Sequence, residues 1–181
     1  PLQEYVLESL KVLVVDDERD ICEHTVLLLK KMKINAEWVL SGKEAVESVV
    51  LAQNNGNSFD ICFIDWKMPE MDGLETVRQI REKIGPDTPI IIIQTLIRET
   101  GNFNQKAREN VKQQNEAIAE QVEVLRKKGV KNLYFIKEDR FLGTDHEGTI
   151  DGTQPNDLGF DRMLKKYKPA ISKILKIKFR D

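Results

Sequence analysis

Apolar and polar residues fall into two rhythms along this chain, and the rhythms take turns. Leu10 to Val15 is a short, nearly continuous apolar run closed by acidic residues, the pattern of a strand buried on both faces of a parallel sheet. From Glu18 to Met32 the apolar residues Ile21, Val26, Leu28, Leu29 and Met32 recur at helical spacing. Lys30, Lys31 and Lys33 then gather where cations suit a helix C-terminus. The alternation repeats with Ala36 to Leu40 as a strand, Ser41 as N-cap, Gly42 to Gln53 as a helix and the turn-rich Asn54-Asn55-Gly56-Asn57 as its close. Phe59 to Ile64 reads as a third strand, Asp72 to Lys83 as a third helix, and Pro89 to Ile93 as a fourth strand of strong β propensity.

Beyond the fourth strand the rhythm lengthens. Asn104 to Lys128 predicts a long polar helix with apolar residues at Val111, Ile118, Val122 and Leu125, stopped by Gly129. Asn132 to Ile136 reads as a fifth strand, and a loop rich in Gly, Asp and Thr runs from Glu138 to Asn156. Asp157 to Leu175 closes the chain as an amphipathic helix that Pro169 should kink or interrupt. Strands alternating with helices imply right-handed crossovers, a parallel sheet and helices on both of its faces. The pattern predicts one α/β domain over residues 1–181, and a chain of 181 residues with 40% hydrophobic content is long enough to bury one sizeable core.

Composition narrows the function classes. The charged fraction is 32% and the formal net charge is -2, so the balance does not favour nucleic acid as a partner. The basic tail Lys173, Lys176, Lys178 and Arg180 reads as a solvated helix face. Cys22 and Cys62 each lie in an apolar stretch and read as core thiols rather than as a disulfide or a metal pair. No apolar run approaches the ~18 residues that span a bilayer, and no basic leader precedes an apolar run. The expectation is a cytoplasmic protein with no membrane partner; the sequence carries no sign of oligomeric state.

Three carboxylates change this picture. Asp16 and Asp17 follow the first strand and Asp65 ends the third. In a sheet of order 2-1-3-4-5 those strands are neighbours, roughly 4.8 Å apart, and their C-terminal ends open on the crevice where such folds bind ligands. Clustered carboxylates repel one another unless a cation neutralises them. Oxygen ligands without paired Cys or His favour Mg2+, or manganese in its place. The chemistry suggested is phosphoryl transfer, with a metal holding the charge of the group while one carboxylate attacks in line.

The string Val-Leu-Val-Val-Asp-Asp-Glu at 12–18, with Asp65-Trp66-Lys67-Met68-Pro69-Glu70-Met71-Asp72-Gly73, resembles the receiver domains of two-component response regulators. The resemblance runs from about Leu10 to Ile93. It implies that Asp65 is phosphorylated by a histidine kinase or phosphotransfer protein in a phosphorelay. It also implies that Asp16, Asp17 and Asp65 hold Mg2+ with the backbone carbonyl of Lys67, and that Pro69 and Gly73 shape the loop beyond the acceptor. The family places Ser or Thr at the end of the fourth strand against the phosphoryl group; here Gln94 holds that position and Thr95 follows it. A one-residue displacement along a strand turns a side chain to the other face. Lys137 fits the lysine that ends the family's fifth strand, although Glu138 stands where a proline usually follows.

From about Asp87 to residue 176 the sequence resembles instead the C-terminal part of an SGNH (GDSL-type) hydrolase. Thr95-Leu96-Ile97-Arg98-Glu99-Thr100, Lys131-Asn132-Leu133-Tyr134-Phe135 and Asp151-Gly152-Thr153-Gln154-Pro155-Asn156-Asp157-Leu158-Gly159-Phe160 carry it. That family's Asp-x-x-His-Pro block supplies the acid and base of a catalytic triad. Gln154 occupies the histidine position, and an amide cannot accept the proton of a serine nucleophile. The nucleophile is replaced as well, by Val15-Asp16-Asp17, which leaves Asp151 alone of the three. His24 and His146 stand outside the motif, as an interfacial helix residue and a loop residue. Together the resemblances imply a chimera on one flavodoxin-like αβα sandwich, receiver-like over 1–86 and hydrolase-like over 87–181. The leading expectation is a Mg2+-dependent phosphoacceptor that is not a hydrolase; the alternative is a folded scaffold without activity.

Overall fold

A computed structural model of the chain describes residues 10–94, 104–137, 140–152 and 155–176. Thr95, Glu138, Gln154, Lys178 and Arg180 lie outside them. Among the described residues five strands and five helices alternate: β1 (Lys11–Val15), α1 (Arg19–Lys31), β2 (Asn35–Val39), α2 (Gly42–Asn54), β3 (Ile61–Ile64), α3 (Gly73–Ile84), β4 (Ile90–Ile93), α4 (Gln105–Lys127), β5 (Leu133–Ile136) and α5 (Asp157–Leu175). The strands form one parallel sheet in the order β2-β1-β3-β4-β5, as the flavodoxin-like expectation requires.

Period-two alternation divides the core between the two faces of the sheet. Leu13, Val15, Cys62, Ile64, Ile90 and Ile92 pack under α2, α3 and α4 with Val49, Val77, Ile80, Ile118 and Val122. Val12, Val14, Ile61, Phe63 and Ile91 face α1 and α5 through Cys22, Leu29 and Ile171. Both cysteines are buried and free. A smaller cluster of Phe141, Leu142 and Met163 ties the loop after β5 to α5.

Local chemistry sets the helix ends. The Ser41 hydroxyl accepts from the Glu44 N–H at 3.2 Å and caps α2, and Asp72 does the same for α3 through Glu75 N–H at 2.8 Å. Gly129, at φ +89°, stops α4, and the Val130 N–H returns to the Leu125 carbonyl at 3.1 Å. Asn156 caps α5 by accepting from Gly159 N–H at 2.9 Å. Pro169 does not interrupt α5, which runs unbroken from Asp157 to Leu175. A proline removes one N–H bond, but Met163, Leu164 and Tyr167 before it and Ile171 and Ile174 after it all pack on the core. Burial on both sides outweighs the missing bond.

Candidate functional site

The crevice is built by the register of two strands. Val15 of β1 is the partner of Ile64 of β3, and the Asp65 N–H donates to the Val15 carbonyl at 2.8 Å, so Asp16 and Asp65 leave the sheet side by side. Each is partly buried, while Asp17 and Glu18 are exposed. One Asp16 carboxylate oxygen accepts from the Glu18 N–H at 2.9 Å, and one of Asp65 accepts from the Lys67 N–H at 2.9 Å. Neither acid has an ion-pair partner among the described residues.

Electrostatics follow from this placement. Burial pushes the Asp16 carboxyl up from 3.8 to about 7, with Asp65, Asp17 and Glu18 adding repulsion and the Glu18 N–H opposing it. Asp65 is also raised, first by burial and then by Asp17 and Glu18, against the Lys67 and Trp66 amides that favour its charge. Glu18 is a fourth acid of the crevice that the strand-end pattern did not single out. It sits at the N-cap of α1 without using its side chain as a cap. Among the described residues no three His, Cys, Asp or Glu side chains form a ready-made metal cage. Asp16 and Asp65 are the partly buried acids of the crevice, and the exposed Asp17 and Glu18 act on both by charge. Two hard oxygen ligands and uncompensated charge suit Mg2+, which binds through one or two carboxylates and keeps several waters.

The loop after Asp65 is pinned by close backbone packing. Glu70 takes φ 63°, the Gly73 N–H donates to the Trp66 carbonyl at 2.9 Å, and a Cβ on Gly73 would lie 2.4 Å from the Asp65 carbonyl oxygen. Only glycine lets α3 start this close to the acceptor's main chain. Lys67 is exposed, and so is Lys137 just past β5; no hydrogen bond or ion pair joins Lys137 to Asp65 among the described residues. Gln94 turns its amide to α4, where it donates to the Asn115 carbonyl at 2.9 Å.

The hydrolase-like loop is ordered by other contacts. Asn156 also donates to the carbonyls of Glu147 and Thr149 at 2.7 and 3.2 Å. Arg162 grips Asp145 with two bonds of 2.7 and 2.5 Å. Asp151 is exposed in this loop, and His146 lies in it at φ 64°. His24 faces Phe160 across the α1–α5 interface, ring centroids 5.9 Å apart.

Comparison with known proteins finds both families, over stretches of the chain that overlap. The family model for the response regulator receiver domain matches residues 12–113, and that for the GDSL-like Lipase/Acylhydrolase family matches residues 67–172. The chain belongs to both families. This receiver–GDSL hybrid is 51% identical to a putative GDSL-like lipase from Bacteroides ovatus, with a TM-score of 0.71 over 100% of this chain and 56% of that one. Its receiver part is 38% identical over 73 residues to hybrid signal transduction histidine kinase L of Dictyostelium discoideum, 40% of this chain and 4% of that protein. It is 37% identical over 83 residues to the response regulator protein PilR of Pseudomonas aeruginosa, 46% of this chain and 17% of that protein. The hybrid thus spans a small part of these signalling relatives and just over half of the lipase. Among the described residues no helix is long and apolar enough to cross a membrane.

Proposed function

We propose that the hybrid is a receiver-type phosphoacceptor in which Asp65 takes a phosphoryl group with the help of Mg2+ held by Asp16, Asp17, Asp65 and the Lys67 carbonyl. The observation that carries this reading is the side-by-side exit of Asp16 and Asp65 from neighbouring strands. A bound Mg2+ would neutralise the acids and the incoming phosphoryl oxygens. An Asp65 carboxylate oxygen attacks phosphorus in line, and the bond to the donor breaks. The electron pair leaves with the donor's nitrogen or oxygen, and an aspartyl phosphate remains. The Lys67 N–H orients Asp65 for that attack, and burial excludes competing water. The donor is a histidine kinase or phosphotransfer protein, by likeness to the signalling relatives, and the proposed setting is cytoplasmic.

The hydrolase half acts in this reading as framework, completing the sheet with β5 and closing its other face with α5. The chain carries Val15-Asp16-Asp17 in place of that family's nucleophile block and Gln154 in place of its base. Incubation with acetyl phosphate and Mg2+ should add the mass of one phosphate, and Asp65→Asn should abolish the increase. No increase under conditions that phosphorylate an established receiver would refute the proposal and favour the silent scaffold.

A further inference from the structure

Gln94 lies two residues past Ile92, the β4 partner of Ile64, so it stands at the rim of the crevice that holds Asp65. Its backbone N–H is fixed to the Ile136 carbonyl at 3.1 Å. Its side-chain amide reaches across to the main chain of α4 at Asn115, 2.9 Å away. Alternation along the strands separates the two side chains. Gln94 continues the face of Ile90 and Ile92, under α4, whereas Asp65 continues the face of Ile61 and Phe63. The amide is therefore turned to the helix and away from the acids. Asn115 is buried, as are Ile118 and Val122 one and two turns on, while Gln105, Lys106, Arg108, Glu109 and Asn110 before it are exposed. The bond from Gln94 falls where α4 passes from solvent to core.

We propose that Gln94 is a positioning residue that anchors α4 to the end of β4 and does not hold the phosphoryl group. As a consequence, the surface of α4 keeps one arrangement whether or not Asp65 is phosphorylated. The consequence rests on the phosphoacceptor reading; the anchor does not.

Hydrogen exchange tests it on the full chain. Gln94→Met keeps the side-chain length but has no donor, and should speed exchange of the amides around residues 115–122 about fivefold, the worth of one such bond. Gln94→Asn, with its amide on a shorter stem, should show the same loss. Unchanged α4 exchange in both variants would overturn the anchor. Wild type carrying one phosphate, verified by intact mass, should exchange along α4 as the unmodified protein does. Its phosphate should also be lost at the same rate as from Gln94→Met. A phosphate-dependent change in α4, or faster loss in the variant, would mean that Gln94 serves the phosphoryl group and would overturn the proposal. If Asp65 takes no phosphate at all, the phosphoacceptor reading falls, while the two variants still decide the anchor.

Discussion

Burial that brings Asp16 against Asp65 makes the folded state hold the Asp16 proton more tightly than an unfolded chain does. With its carboxyl raised from 3.8 to about 7, Asp16 contributes stability below about pH 4 that is lost progressively as pH rises through 7; the raised Asp65 acts in the same direction. Wild type should therefore lose more stability between pH 5 and pH 7.5 than Asp16→Asn, compared by urea midpoints in chelator. Equal losses would mean that burial does not hold the Asp16 proton in the folded state. Added Mg2+ should restore the wild type at pH 7.5 by binding the folded form. At this scale the sequence disclosed Asp16, Asp17 and Asp65, because their distance from the strand ends is a matter of counting. Glu18 escaped, since an acid three residues past the strand has no fixed direction until the helix start is placed.

At the scale of elements, hydrophobic periodicity located each strand and helix among the described residues with boundaries displaced by at most a residue or two, as fraying ends allow. Of the two outcomes expected at Pro169, interruption does not occur, because a local rule meets tertiary packing: α5 is held on both sides of the proline by side chains whose partners are far away in sequence. Capping residues were legible only in part. Ser41 stood out from its position before an apolar period, but Asn156 does more than cap, because its amide also holds two loop carbonyls. Ser41→Ala should cost about 1 kcal/mol, and Asn156→Ala about 2 kcal/mol or more, since it also strips the bonds to the carbonyls of Glu147 and Thr149. Urea denaturation of the two variants checks the order; equal costs would show that the loop does not depend on Asn156.

For the whole molecule, the two family likenesses meet in one continuous sheet, and long-range polar bonds fasten α3 and the turn after it to the start of β5. Arg81 of α3 donates to the carbonyls of Lys131 and Asn132 at 3.1 and 3.0 Å, and to Gly85 at 3.2 Å. Asn132 answers with its amide on the Pro86 carbonyl at 2.9 Å. Bonds that span fifty residues leave no periodic trace, so the order of the strands was readable while the fastening of β5 was not. Arg81→Met should destabilise the fold by about 1–3 kcal/mol, through loss of charge-assisted bonds. Amide exchange in β5 should rise at least as much as in β1, and a rise confined to α3 would show that this side chain does not fasten β5.

The four isoleucines of β4 lend this architecture one more property. A strand whose successive side chains are identical would bury the same shapes after slipping by one residue, so hydrophobic patterning cannot fix its alignment. Alignment falls to its punctuation, namely the Pro89 carbonyl that accepts from Cys62, the Ile90 amide that donates to Asn132, and the Gln94 amide that donates to Ile136. The middle of the strand supplies cohesion and carries no address; the address is written at its two ends.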